Sequence, residues 1–162
     1  MGERGLHLST GQRTMETYRA LKLAALAEVE ELVPADDSLL LILKPGSCLP
    51  ACLTHVLASL GEEKANETAR NLEIPVDFSG EDLQDIAVLS GLSVSALIEQ
   101  VLSCKLRVKF LGFQPGFAYL EGLPPALHLP RLARPRTLVR AGGVALGGRY
   151  CGIYPADGPG GW

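Results

Sequence analysis

The sequence predicts an α+β protein in which a small α/β half is followed by a β-rich half. Two observations carry that expectation. Up to about residue 105 the chain is rich in Leu, Ala and Glu at helical spacing, and beyond it lie 11 of the 18 glycines and 7 of the 11 prolines. Glycine and proline interrupt helices and shape turns, so the second part implies short strands and loops. With 162 residues and 47% apolar content, the chain can bury a core as one ordinary domain or two small ones.

Met15, Tyr18, Lys22, Ala25, Leu26, Val29 and Leu32 recur at i, i+3, i+4 spacing and predict an amphipathic helix that Pro34 ends. Ser38 to Leu43 is a compact apolar run between Asp36-Asp37 and Lys44-Pro45-Gly46, the pattern of a buried strand. A second helix should open with Pro50 in its first turn, carry Leu49, Cys52, Leu53, Val56, Leu57 and Leu60 inward, and stop at Gly61. Residues 62–71 are polar and suit a linker or an exposed turn. Leu72 to Phe78 alternates like a strand, with Pro75 marking an edge or a terminus.

Two short helices are expected next, one capped by Ser79 with Asp82 following, the other capped by Ser93 after Gly91. Arg107 to Leu111 predicts a strand. The last element is a hairpin: Val144 and Leu146 on one arm, Gly147-Gly148 supplying the positive φ of a two-residue turn, Cys151 and Ile153 on the return.

Charge is distributed unevenly. The net charge is −3, yet Gly122 to Ala156 holds five arginines (131, 134, 136, 140 and 149) and no acid, leaving about −8 for the remainder. The overall balance argues against a general nucleic-acid binder. The local excess favours a small anionic ligand or an acidic partner surface.

Cysteines stand at 48, 52, 104 and 151, and the spacing of Cys48 and Cys52 puts both on one side of a helix. With His55 alone nearby and no CxxC pair in the chain, no metal site is expected, and the thiols suit a reduced, mostly buried set in a cytoplasmic protein. No basic-then-apolar leader opens the sequence, and Leu39 to Leu43 is too short to span a bilayer, so no membrane role is expected.

Leu83 to Leu102 has the spacing of a helix-turn-helix, with Ala87, Gly91 and Leu97 at its small, turn and apolar positions. The would-be recognition helix carries no Lys or Arg and offers Glu99 to phosphates, so a packed helix pair is the better account. Pro130-Arg131 and Pro135-Arg136 are different. Proline stiffens the backbone before each arginine, and a preorganised guanidinium suits bidentate grasp of a carboxylate or phosphate. The plainer alternative, equally open for each arginine, is pairing with the acidic remainder of the chain. Ala141-Gly142-Gly143 could present backbone N–H groups to an anion. No P-loop, no dinucleotide fingerprint and no nucleophile elbow is present, so no catalytic residue can be named.

The stretch Gly112-Phe113-x-Pro115-Gly116-Phe117-Ala118-Tyr119-Leu120-x-Gly122-Leu123-Pro124 is the most distinctive in the chain. With Ile74-Pro75-Val76, Pro130-Arg131, Pro135-Arg136, Ala141-Gly142, Gly152-Ile153-Tyr154-Pro155 and Pro159-Gly160-Gly161-Trp162, it resembles one bacterial family. That family is known as the B component of 5-oxoprolinase, as the sporulation-kinase inhibitor family, and as allophanate hydrolase subunit 1. The resemblance is strongest over residues 74–162.

It implies a ferredoxin-like α/β domain over 1–71, with its first strand reduced or absent, and a cyclophilin-like β-barrel domain over 72–162, lacking its last strand. It implies a subunit of an ATP-dependent 5-oxoprolinase that opens 5-oxo-L-proline to L-glutamate, inactive without two partner subunits. ATP with Mg would act at the level of the complex. The alternative, from another branch of the family, is an inhibitor that binds a sensor histidine kinase. By motif position and chemistry, Phe113, Gln114, Pro115, Gly116, Phe117 and Tyr119 would shape a pocket. Arg131 and Arg136 would hold a carboxylate or phosphate, and Ala141, Gly142 and Gly143 would supply backbone donors.

The chain departs from the family pattern in places. Val101 stands for a usual His, Leu106 for a Tyr, Arg140 and Gly143 for a Pro and a Ser, and Tyr150-Cys151 for Gln-Thr.

Overall fold

The computed structural model describes residues 4–60 and 70–162, which fall into two compact units, residues 1–70 and 71–162. The expected linker at 62–71 lies almost wholly outside the described residues.

The first unit is a three-stranded antiparallel sheet with helices. Strands β1 (Gly5–Ser9) and β2 (Val29–Pro34) both pair with the central β3 (Ser38–Leu43). The opening strand, expected to be reduced or absent, is present as β1. Along β3, buried and half-buried residues alternate, which puts Leu39, Leu41 and Leu43 on one face. Leu39 and Leu41 meet Leu21 of α1 (Thr14–Ala24) and Leu53 of α2 (Leu53–Ala58) in a single cluster.

The first helix is shorter than its periodicity predicted. It ends at Ala25, a left-handed residue (φ 44°) whose N–H donates to Lys22 O, and residues 29–34 become β2. Pairing with β3, Leu32 opposite Leu41 and Val33 opposite Leu40, outweighs the helical preference of the Ala-Leu-Ala-Glu segment. The second helix is also curtailed: Leu49 and Cys52 are exposed, and Leu53 alone is buried. Cys48 precedes the helix, so the two thiols do not share a helical face, and both are exposed rather than buried.

The second unit begins with an extended segment. Leu72 to Phe78 forms no strand, and Leu72 and Ile74 are exposed. Helices α3 (Leu83–Ser90) and α4 (Val94–Ser103) follow at 86° to one another, and no single helix among the described residues is long and apolar enough to cross a membrane. Gly91 ends α3 in a left-handed conformation, and Ser93 Oγ accepts the Ala96 N–H at the start of α4. Ser79 does not cap α3. Its hydroxyl donates to Asp77, and Asp82 takes the N-terminal position.

Strands β4 (Arg107–Leu111), β5 (Ala118–Glu121), β8 (Tyr150–Ile153) and β7 (Val144–Gly147) form an antiparallel sheet in that order, while β6 (Arg136–Val139) pairs with β9 (Gly158–Gly160). Ala87 and Leu97 pack with Leu123, Leu127 and Cys151, and Leu120 and Leu146 adjoin them, so the helix pair covers one face of the four-stranded sheet. The hairpin has the predicted arms but a shifted turn. Gly147 pairs with Tyr150 inside the ladder, and Gly148 (φ 58°) with Arg149 forms the turn. The chain is thus an α+β protein with antiparallel sheets.

Candidate small-molecule site

Adjacent residues of a strand point to opposite faces, and here the two faces have separate tasks. Leu120, Cys151 and Leu146 stand in register toward the helices. One residue along, Tyr119 and Gly152 stand in register on the other face. A bulge at Lys109 brings Phe110 opposite Tyr119, where the rings stack at 4.3 Å. Tyr150 meets both edge-on at 5.7 and 5.8 Å. The face away from the helices is therefore aromatic.

The loop between β4 and β5 supplies the next ring. Phe117 N–H donates to Gln114 O at 3.0 Å, closing a turn with Pro115 second and Gly116 (φ 83°) third, the type II arrangement. It delivers Phe117 into the interior at 2% exposure, with Phe113, Tyr119, Tyr154 and Trp162 edge-on around it at 5.1–5.8 Å.

Two glycines make this packing possible. A Cβ at Gly152 would lie 2.5 Å from Phe117 Cζ, and one at Gly147 would lie 2.5 Å from Trp162 Cδ2. Gly147, read from sequence as a turn residue, is a glycine because an indole lies against it.

Phe113 is conformationally unusual. Its φ is +66°, and Gln114 N–H donates across it to Gly112 O at 2.8 Å, a γ-turn of the rare, strained kind. The side chain is 57% exposed at the rim of the aromatic cluster. Backbone strain of this kind clusters at ligand-binding sites, and Phe113 lines the cleft.

Phe113, Phe117, Tyr119, Tyr154 and Trp162 line a cleft of about 170 Å³ together with Arg131. This is below the range of drug-sized pockets and suits a small molecule. The Arg131 guanidinium lies 5.5 Å from the Trp162 ring centroid and has no carboxylate partner among the described residues. Burial raises the Tyr154 phenol above its ordinary pKa, the nearby Tyr119 phenol adds to the rise, and Arg131 partly opposes it. Tyr154 therefore stays protonated, a hydrogen-bond donor, at neutral pH.

The expected site residues divide three ways. Phe113, Phe117, Tyr119 and Arg131 meet at the cleft. Gln114, Pro115 and Gly116 shape the turn that supports it, with Gln114 Nε2 reaching Ala156 O at 3.4 Å and Gly116 close to Pro155.

Arg136 and residues 141–143 are engaged elsewhere. Arg136 donates to both Asp82 oxygens at 2.5 and 2.6 Å and lies 3.3 Å from Glu81, so the plainer alternative holds for this arginine. The Ala141 N–H donates to Asp157, Gly142 N–H to Tyr154 O and Gly143 N–H to Arg140 O, which leaves no backbone nest for an anion. Tyr154, Leu132, Pro135, Gly160, Gly161 and Trp162 line the cleft and were not singled out from sequence. The signal for Tyr154 and Trp162 was present in the Gly-Ile-Tyr-Pro and Pro-Gly-Gly-Trp motifs.

The carboxyltransferase domain family, subdomains C and D, matches residues 2–162. The chain belongs to this family. It is 40% identical over 148 residues to the B component of 5-oxoprolinase from Escherichia coli O157:H7, covering 88% of this chain and 68% of the relative. It is 30% identical over 186 residues to the B component of 5-oxoprolinase from Bacillus subtilis (strain 168), covering all of this chain and 78% of that one. These relatives place it among the B components of 5-oxoprolinase. The solved structure of TTHA0988 superposes with a TM-score of 0.83 at 38% identity over 98% of this chain. The chain spans about a third of TTHA0988, 34% of its length.

Proposed function

We propose that the chain is a subunit of a cytoplasmic, ATP-dependent 5-oxoprolinase complex, and that the aromatic cleft is its site for 5-oxo-L-proline. One observation carries the second part: Arg131, without a carboxylate partner among the described residues, lines a small aromatic cleft in a relative of the 5-oxoprolinase components. A guanidinium over an indole face can hold a carboxylate in fork geometry, and the rings offer an apolar wall to a flat ring. Water must be added across an unactivated lactam bond, an uphill step that ATP hydrolysis would drive within the complex. The Ala141–Gly143 amides are engaged and the sequence has no P-loop, so neither offers a phosphate cradle on this chain, and ATP would act at the level of the complex.

The strand and helix order β1-α1-β2-β3-α2 supports a ferredoxin-like first domain. The four-stranded and two-stranded sheets support a cyclophilin-like barrel for the second. Two partner subunits would complete the enzyme.

The test is ATP-dependent glutamate release from 5-oxo-L-proline by the co-expressed subunits, with this chain omitted in the control. Activity that requires the chain supports the proposal. Full activity without it would overturn the proposal and leave a histidine-kinase-binding role to be tested by partner capture.

A further inference from the structure

Tyr154 follows β8, and both its backbone groups are fixed: its N–H donates to Gly143 O at 3.0 Å and its carbonyl accepts from Gly142 N–H at 2.7 Å. Its ring is held edge-on by Phe117 at 5.3 Å and Phe113 at 6.1 Å. The residue is 2% exposed, yet its hydroxyl makes no hydrogen bond to any described residue. Gly160 lies directly against that hydroxyl, so a side chain at 160 would collide with it. Among the described residues the fully enclosed side-chain polar atom without a partner is Gln100 Oε1, so the Tyr154 oxygen, unbonded yet not enclosed, keeps access to the cleft, and a phenylalanine would make the same ring contacts. The oxygen is therefore unexplained by folding.

Tyr119 also presents a phenol to the cleft, but it is only half-buried and its ring is committed to the stack on Phe110. Arg131 lines the same cleft and favours a negative group. A ligand that satisfies both Arg131 and Tyr154 must carry an anion and, on the same small framework, a hydrogen-bond acceptor.

We propose that Tyr154 is the specificity-determining donor of the cleft, reading the ring carbonyl of a small cyclic carboxylic acid whose carboxylate is held by Arg131. This rests on the cleft being the substrate site and adds the group that would distinguish a lactam from a plain carbocyclic acid. A site built to donate a hydrogen bond disfavours an analogue that lacks the acceptor, because the donor is then left unpaired.

The experiment measures calorimetric affinities of the full chain, alone and with its partner subunits, for 5-oxo-L-proline and for cyclopentanecarboxylate, which lacks the lactam. The wild type should prefer 5-oxo-L-proline by roughly tenfold, the scale of one hydrogen bond. Tyr154→Phe should bind cyclopentanecarboxylate at least as tightly as the wild type, with no fall in melting temperature, while its preference for 5-oxo-L-proline shrinks to about threefold or less. Arg131→Met should weaken both ligands together. Retained discrimination in Tyr154→Phe, or its loss in Tyr119→Phe instead, overturns the role given to Tyr154 and leaves the cleft as the site. Failure of the wild type to bind either ligand in any subunit combination overturns the cleft assignment and this inference with it.

Discussion

Replacing Arg136 with Met should destabilise the second unit and leave ligand affinity nearly unchanged, although the sequence alone made Arg136 an anion-binding candidate. Its two hydrogen bonds to Asp82, at 2.5 and 2.6 Å, tie β6 to the start of α3. Hydrogen bonds between charged groups are worth about 1.5–3 kcal/mol each. Both side chains are 33% exposed, so solvent screening reduces that figure. The contact to Glu81, which is 78% exposed, adds little. A loss of about 1–2 kcal/mol remains, and for a unit of this size each kcal/mol lowers the melting temperature by about 4–8 °C.

The pair also has a pH signature. The hydrogen bonds from Arg136 hold the Asp82 carboxyl below its ordinary range. A depressed folded-state pKa contributes stability above the unfolded value, about 3.9, and loses it as pH falls through the lower folded value. Urea denaturation of wild type and Arg136→Met at neutral and acidic pH should therefore show a gap that closes on acidification. A double variant with Asp82→Leu should recover part of the loss, because it removes the carboxylate stranded by the single change. An Arg136→Met protein as stable as wild type, with lost ligand binding, would refute the structural role.

Gly152→Ala should lower stability by about 1–3 kcal/mol in urea denaturation, since its methyl carbon would lie 2.5 Å from Phe117 Cζ and force the ring from the cleft wall; an unshifted midpoint would mean that the ring can yield freely. Cys48 and Cys52 should be alkylated in the native protein, whereas Cys151, buried and pushed up to about 11, should react only after unfolding, as read by mass spectrometry of timed labelling. Ser93→Ala should cost about 1 kcal/mol by removing the acceptor for the Ala96 N–H, and equal stability would show that solvent replaces the cap.

Local signals in the sequence reported local structure well. The compact apolar run of Ser38 to Leu43, the Ser93 cap after Gly91 and the two arms of the final hairpin each depend on a few neighbouring residues, and all appear where expected. The disagreements come from partners distant in sequence. Residues 29–34 have helical spacing but pair with β3, and Leu72 to Phe78 alternates yet finds no strand to pair with. Arg136 meets an acid 54 residues earlier, which no local pattern announces. For the site, the aromatic-glycine stretch led to Phe113, Phe117 and Tyr119. The opposite wall, Tyr154 and Trp162, is brought in by β8 and the segment after β9, so its proximity depends on strand order.

The strict parity of β5 has a consequence for how this chain can change over time. Tyr119 and Leu120 are neighbours, yet one serves the cleft and the other the helix-packed core. Ligand preference can therefore drift by substitution at the odd position while the even position keeps the protein folded. Length is a different matter. Losing or gaining a single residue within Ala118–Glu121 would send tyrosine toward the helices and leucine into the cleft, damaging both at once. Lineages of this chain should accordingly show almost no insertions or deletions within β5, even where its cleft-facing side chains differ.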